Sequence, residues 1–356
     1  MDILDIRGVK ISGIVACLPE RVVENRADCE DLFPEDALNN IIKATGINKR
    51  YVVNRGTTSL DLSIQAASHL LEKTKTKAED IGATICVTFT PDNIMPSDAP
   101  LAQTRLGIPK DSMGFDIGMA CSGYGYGLYI ASTIVRGLNK KVLLLDGDTQ
   151  SAYVSKTDKS TVPVMSDVGT ATLLEPSDDK NRWKFSFYTD GSGREVLKIP
   201  AGGAKHPTQI DDLDYREYDD GSKRREVDIY MDGFEVYKFV AQDASKFIDR
   251  FMEELDLTPD QIHAFIPHQA NMYMIKQLGK KLKFDDDKVW KSGDEFGNPG
   301  SASIPLTIAY NANKHFTNSG EIESLISGFG AGLSISVAKI NISRDGFYNI
   351  IQKEGN

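Results

Sequence analysis

No apolar run in this 356-residue chain approaches the roughly 18 residues that a bilayer-spanning helix needs. The short apolar stretch Ile11–Leu18 follows charged residues and lacks the layout of a secretory signal, so a cytoplasmic protein with no membrane association is the expectation. Basic charge is in deficit. The 41 Lys and Arg face 51 Asp and Glu, a formal net charge of −10, and the sequence pI is near 5.1. Such a mean field repels polyanions, which argues against nucleic-acid binding, and any acidic partner would need a local basic patch. Cysteine is sparse. Cys17, Cys29, Cys86 and Cys121 show no C-x-x-C spacing, which excludes a zinc ribbon and a disulfide framework, and no metal site is expected. Each cysteine is then a lone thiol, to be judged by its neighbours.

What is present is an ordinary globular composition, 40% hydrophobic and 26% charged, at a length that suggests two domains or one large α/β unit. Apolar runs at Ala83–Phe89, Phe115–Ala120 and Lys141–Leu145 alternate with the amphipathic stretches Leu101–Leu106 and Tyr124–Leu138. That alternation predicts strands joined by crossover helices. Tyr124, Leu128, Ala131, Val135 and Leu138 recur at the spacing of one helix face, so Cys121 lies where a strand ends and a helix begins. In the second half Trp183, Phe185 and Phe187 alternate with polar residues as a strand. A helix is predicted through about Val236–Leu255, and a short strand Ala264–Ile266 precedes His268. No low-complexity linker separates the halves. Met165–Leu174 and Ile326–Val337 both pass through a glycine turn into a strand of small and β-branched residues, which points to an internal duplication. Asp211–Glu226 crowds acids before bases with few apolar residues and predicts an exposed excursion.

Three positions carry possible chemistry. Cys121 sits in Asp116-Ile117-Gly118-Met119-Ala120-Cys121-Ser122-Gly123, where small residues let the backbone turn sharply at a helix N-terminus. Helix dipole and free N–H groups there favour the thiolate, although a cysteine among small residues is more often structural. His268, in Pro267-His268-Gln269-Ala270-Asn271, also stands at a strand end, where a hydrogen-bonded core histidine is the simpler reading. Asn298, in Gly297-Asn298-Pro299-Gly300-Ser301-Ala302-Ser303, reads by itself as turn chemistry.

Taken together, the order Cys, His, Asn on strand ends resembles the β-ketoacyl-acyl-carrier-protein synthase III family of thiolase-like condensing enzymes along nearly the whole chain. Further matching segments are Thr45-Gly46-Ile47, Met95-Pro96-Ser97, Ser166-Asp167-Val168-Gly169, Met231–Tyr237 and Gly328-Phe329-Gly330-Ala331-Gly332. The resemblance implies an α/β, five-layer αβαβα fold of two similar halves, taken as 1–175 with the nucleophilic cysteine and 176–356 with His and Asn. It also implies a homodimer with the active site at the bottom of a tunnel, and no cofactor beyond the CoA and acyl-carrier-protein thioesters that serve as substrates. By the same resemblance Cys121 takes the acyl group, His268 and Asn298 act on the malonyl extender, and backbone N–H groups of Cys121 and Ala331 form the oxyanion hole. Ala331 replaces a usual glycine, which a backbone donor tolerates. A thiolate divides acyl transfer into two easier steps, and hydrogen-bond donors stabilise the enolate left by loss of CO2.

Rival readings make different demands. A papain-like hydrolase shares the order Cys, His, Asn, but its nucleophile lies near the mature N-terminus in a C-G-[SA]-C-[WY] context, which is absent here. A non-catalytic acyl-binding relative is disfavoured because all three chemical positions are filled. Thiolases use a second cysteine and hydroxymethylglutaryl-CoA synthases a glutamate, so the His268–Asn298 pair favours decarboxylative condensation. Relatives with this triad also pass acyl groups to oxygen or nitrogen acceptors. The resemblance further implies that Lys238, Lys280 and Lys281 receive an acyl carrier protein, that Lys159 contacts a CoA nucleotide, and that Met95 closes the partner's acyl pocket. Tyr273 stands where a further arginine is usual, and Asn40 and Ala44 replace the tryptophan and arginine that clamp adenine. That loss implies loading by a carrier protein, or by a CoA ester held through its acyl chain.

Overall fold

The computed structural model describes residues 1–177, 182–316 and 320–353. Eleven strands build its two large sheets: β1 (Leu4–Arg7), β2 (Val9–Leu18), β3 (Ile81–Val87), β4 (Met113–Ile117), β5 (Lys141–Asp148), β6 (Val168–Pro176), β7 (Arg182–Thr189), β8 (Ala264–Pro267), β9 (Glu321–Gly330), β10 (Ser334–Ser343) and β11 (Phe347–Gln352). The principal helices are α1 (Glu35–Thr45), α2 (Ser59–Lys73), α3 (Asp98–Arg105), α4 (Gly123–Leu138), α5 (Gly233–Phe239), α6 (Ser245–Glu254), α7 (Met272–Lys281) and α8 (Ser303–His315). A π-helical turn, Val240–Ala244, joins α5 to α6, so the helix expected over Val236–Leu255 is present with a bulge.

Strand alternation sorts the buried side chains into layers. Leu143 and Leu145 face α2 and α3 on one side of the first sheet, whereas Val142 and Leu144 face a central layer containing Tyr124 and Leu128 of α4 and Ile304 and Ile308 of α8. The second sheet repeats the pattern. Ala264 and Ile266 join that central layer, and Phe265 faces outward with Ile248, Phe251 and Ile275. Helix, sheet, helix, sheet, helix is the resulting order, the five-layer αβαβα fold.

The duplication is visible in the topology. The first sheet runs β11-β2-β6-β5-β3-β4 and the second β1-β7-β10-β9-β8. Within each, two antiparallel pairings precede a parallel one: β2–β6, β6–β5 and β5–β3 in the first, β7–β10, β10–β9 and β9–β8 in the second. The repeated segments contain β6 and β10, which occupy equivalent places. The division at 175/176 needs correction at both ends. β1 pairs with β7 of the second sheet, and β11 pairs in parallel with β2 of the first. Each terminal strand covers an edge that the other half leaves open.

Two local expectations also change. Leu138 is 44% exposed because α4 ends there, with Asn139 in the left-handed region as its cap, while the other four residues of the stripe are fully buried. The excursion 211–226 forms a small hairpin that pairs Arg216–Glu217 with Lys223–Arg224. It is mostly exposed, but Ser222 and Arg224 are buried against the body of the protein.

Candidate active site

Cys121 lies in a one-turn 3-10 helix, Ala120–Ser122, between β4 and α4. Ala120 takes the left-handed region at φ 42°, a strained conformation for a residue with a Cβ, and that turn delivers the thiol to the interior. Gly328 and Gly330 of β9 make the fit possible. A Cβ on Gly330 would stand 2.7 Å from Cys121 Cβ, and one on Gly328 would stand 2.8 Å from Ser122 Cα. Ser122 ties the turn down: its Oγ donates to Met119 O and lies 2.7 Å from Ser334 Oγ, while its carbonyl accepts from Ser336 Oγ at 2.9 Å.

Burial pushes the Cys121 thiol up to about 12; Asp148 and Asp146 add to the rise, and only the residue's own N–H opposes it. The thiolate expected from the helix N-terminus is therefore not the resting form. Local dipoles favour an anion, but the loss of solvent outweighs them. The two acids are themselves buried. Asp146 Oδ1 accepts from Ser301 Oγ at 2.5 Å, and Asp148 Oδ1 accepts from Thr88 Oγ1 at 2.9 Å and Phe89 N–H at 2.8 Å. Burial raises Asp146 well above the usual carboxylate range and Asp148 to about 7, so Asp146 favours the neutral acid and Asp148 titrates near neutral pH.

His268 follows β8 and is held on three sides. Its N–H donates to Ser327 O at 2.8 Å, its ring meets Phe329 edge-on at 5.4 Å, and its Nδ1 lies 2.8 Å from Ser303 Oγ. Gln269 N–H also donates to Ser303 Oγ at 3.2 Å, an arrangement that leaves the hydroxyl proton free to be given to Nδ1 in the tautomer that carries the imidazole proton on Nε2. Burial lowers His268 to about 4 against a smaller opposing pull from the Gly300 backbone, so the ring is neutral at physiological pH.

Asn298 is fixed mainly through its backbone. Its N–H donates to Val164 O at 2.9 Å, and its carbonyl accepts from Ser166 N–H at 3.0 Å and Gln150 Nε2 at 2.8 Å. Gly300 N–H donates to Asn298 Oδ1 at 3.0 Å, an Asx turn that directs the side-chain NH2 the other way; its only described contact is a 3.5 Å bond to Ala270 O. Gly300 holds φ +64°, and a Cβ there would meet Asp148 Oδ2 at 2.9 Å. The three predicted residues thus share one interior neighbourhood. β9 carries Gly328–Gly330 against Cys121 and Ser327 against His268, and the turn from Asn298 to Ser303 joins the other two.

Cys121 and Ala331 both line a cavity of about 280 Å³ whose remaining walls are mostly apolar: Phe89, Met165, Leu197, Ile199 and Ile229, with Gln150 and Lys198 as polar members. Its mostly apolar lining suits an acyl chain carried on the sulfur. Met95 is not among these walls; it is 86% exposed beside the still more open Ile94. Lys280 and Lys281 line a separate surface groove of about 370 Å³ with Tyr237, whose ring stacks on Tyr273 at 6.2 Å. Lys281 Nζ donates to Ala241 O at 2.6 Å, and Lys238 pairs with Glu235 at 3.1 Å. Lys159 is drawn to the hairpin, where its Nζ donates to Asp220 O at 3.0 Å. Asn40 and Ala44 lie one turn apart on the exposed face of α1. Among the described residues no group of three His, Cys, Asp or Glu side chains is placed to hold a metal ion, and no helix is long and apolar enough to cross a membrane.

Sequence reasoning missed Ser303 and the pair Asp146 and Asp148. The first lay inside a motif read only for its asparagine. The second had a signal, two acids at strand spacing directly after the apolar run Lys141–Leu145.

Residues 115–191 match the family described as 3-oxoacyl-[acyl-carrier-protein (ACP)] synthase III, and residues 252–342 match its C-terminal part. The beta-ketoacyl-[acyl-carrier-protein] synthase III of Aliarcobacter butzleri is 31% identical, covering 90% of this chain and 94% of its own. That of Koribacter versatilis is 30% identical, covering 85% and 89%. A solved 3-oxoacyl-(acyl-carrier protein) synthase from Burkholderia xenovorans superposes with a TM-score of 0.91 at 30% identity over 99% of each chain.

Proposed function

The chain belongs to the 3-oxoacyl-[acyl-carrier-protein] synthase III family, and from that premise we propose that Cys121 accepts an acyl group and extends it with a malonyl thioester of an acyl carrier protein. It is a condensing acyltransferase of acyl-chain biosynthesis. The observation that supports this division of labour is the apolar cavity ending on Cys121 and Ala331, with His268 and Asn298 held in the same interior neighbourhood.

In the first half-reaction the sulfur attacks the donor carbonyl while backbone N–H groups of Cys121 and Ala331 receive the oxyanion. The thiol proton ends on the departing thiol, so the transfer is proton-neutral. The raised thiol pKa makes attack depend on proton removal as the C–S bond forms, because little thiolate exists beforehand. In the second half-reaction the extender loses CO2, and the enolate oxygen is stabilised by Nε2–H of His268 and the NH2 group of Asn298. The enolate carbon attacks the acyl carbonyl, Cys121 leaves as thiolate, and one proton from solvent restores the thiol. A neutral His268 suits this role, since it donates without titrating between pH 5 and 8. These steps balance with side chains, backbone and thioesters alone, so the proposal includes no cofactor.

We further place the enzyme in the cytoplasm as a homodimer in which Met95 reaches the partner's acyl cavity, with the lysines of the Tyr237 groove facing the acidic carrier protein. The deciding experiment is intact mass after exposure to acyl thioesters. The native protein gains one acyl group and Cys121→Ala gains none; acylation of the alanine variant would end the assignment.

A further inference from the structure

The excursion between Ile199 and Ile229 begins and ends on walls of the Cys121 cavity. Its two stems are paired to each other, Leu197 with Met231 and Lys198 with Tyr230, so the excursion is continuous with the cavity wall through this strand pair. The tip does not hang free. Its strand Lys223–Arg224 is bonded along the loop that follows β5. Lys223 O accepts from Ser155 Oγ at 2.6 Å and Thr157 Oγ1 at 2.8 Å, Lys159 N–H donates to Ser222 Oγ at 3.0 Å, and Ile229 N–H donates to Tyr153 O at 2.7 Å. At the centre is an ion pair out of solvent. Arg224 Nη1 lies 3.0 Å from Asp158 Oδ1, with side-chain exposures of 5% and 0%. The guanidinium also stacks on Tyr218 at 4.2 Å and faces Tyr230 at 5.3 Å.

Asp158 is fully engaged, accepting from Ser160 N–H and Thr161 Oγ1 as well. Arg224 is engaged less completely: its Nη2 lies 3.9 Å from Asp220 Oδ1, and its Nε finds no acceptor among the described residues. A charge buried with one donor unmet is a poor choice for stability alone, and it fits a contact that closes and releases. The loop on which it closes leads to Met165, another wall of the cavity.

We propose that the excursion 200–228 sets the acyl specificity of the cavity by positioning the wall residues on its stems, Leu197–Ile199 and Ile229, and that Arg224 is the positioning residue that holds it closed against Asp158. Closed, the wall admits slender, straight acyl groups to Cys121; released, it admits bulky or branched ones. This rests on the acyl cavity of the proposed function and adds which segment sets its selectivity.

The test uses alkylation of Cys121, which needs no acyl donor. Native protein, Arg224→Gln and Arg224→Lys react with iodoacetamide and with N-(1-pyrenyl)maleimide. Each rate is divided by that of free cysteine, and peptide masses locate the adduct. Arg224→Gln raises the bulky-to-small ratio about tenfold or more, because one partner of a buried pair is left behind. Arg224→Lys, with its charge but without the planar fork, falls between. The same variants load branched and aryl acyl thioesters faster relative to straight ones. Equal acceleration of both reagents, or an unchanged ratio in a variant whose excursion has become protease-sensitive, overturns the proposal. If Arg224→Gln does not fold, Tyr218→Leu removes the stacking partner and is read the same way. Failure of Cys121 to accept any thioester would instead sink the proposed function and leave the alkylation ratio to stand.

Discussion

Replacing Gly330 by alanine tests how tightly the nucleophile is held. The new Cβ would lie 2.7 Å from Cys121 Cβ, 3.3 Å from its N and 3.4 Å from its Cα. Carbon atoms in ordinary contact stand about 3.5–4.0 Å apart, so roughly 1 Å must be found somewhere. Little can yield. On one side Gly330 is paired with Ser334; on the other, the Cys121 turn is held through Ser122 by Ser334 and Ser336 and is already strained at Ala120. Overpacking of this kind costs about 1–3 kcal/mol, which leaves the variant folded with a lower urea midpoint. Displacing the sulfur by about 1 Å from its oxyanion donors lowers the single-turnover acylation rate by about 10²-fold, followed by intact mass. Malonyl decarboxylation, assigned to His268 and Asn298, falls much less. Gly137→Ala, where the added carbon meets nothing within 4 Å, is the control. A folded Gly330→Ala enzyme that acylates at the native rate would refute the close-approach argument.

His268→Ala and Asn298→Ala are each expected to slow malonyl decarboxylation by about 10²–10³ while acyl transfer to Cys121 persists; native decarboxylation rates in both would remove their enolate role. Burial raises Asp148 from 3.8 to about 7, so between those values the folded state binds a proton that the unfolded chain has released. Against the opposite slope of His268 between about 4 and 6.5, the contribution of Asp148 to stability falls as pH rises through its own window and levels above it. Asp148→Asn flattens this slope, and parallel urea midpoints for variant and native protein across the window would contradict the burial argument. Met95→Ala shifts the acyl-length preference of Cys121 loading if the exposed Met95 enters a partner's cavity, and an unchanged length profile would leave it an ordinary loop residue.

What the sequence made legible was local, and what it concealed was set by distance along the chain. Cys121, His268 and Asn298 could be read because each sits in a contiguous motif, the first two just beyond a strand and Asn298, against the expectation of a strand end, after the short helix Gly293–Phe296; four of the five apolar positions of α4 are buried as their spacing requires. The ionisation of Cys121 could not be read so. The helix N-terminus that favours thiolate lies beside it in sequence, whereas the groups that seal it from water, Gly328 and Gly330, come from β9, and Asp146 and Asp148 come from β5. The excursion misleads for the same reason: its acids and bases look solvated until Asp158, from another loop, is seen to bury Arg224. The terminal strands β1 and β11 are the extreme case, since no local pattern tells a strand which half it will join. A residue's type and spacing thus name the chemistry available to it, and contacts from distant segments decide which charge state it adopts. The raised thiol of Cys121 and the neutral ring of His268 follow from the second kind of information, the burial that distant segments impose.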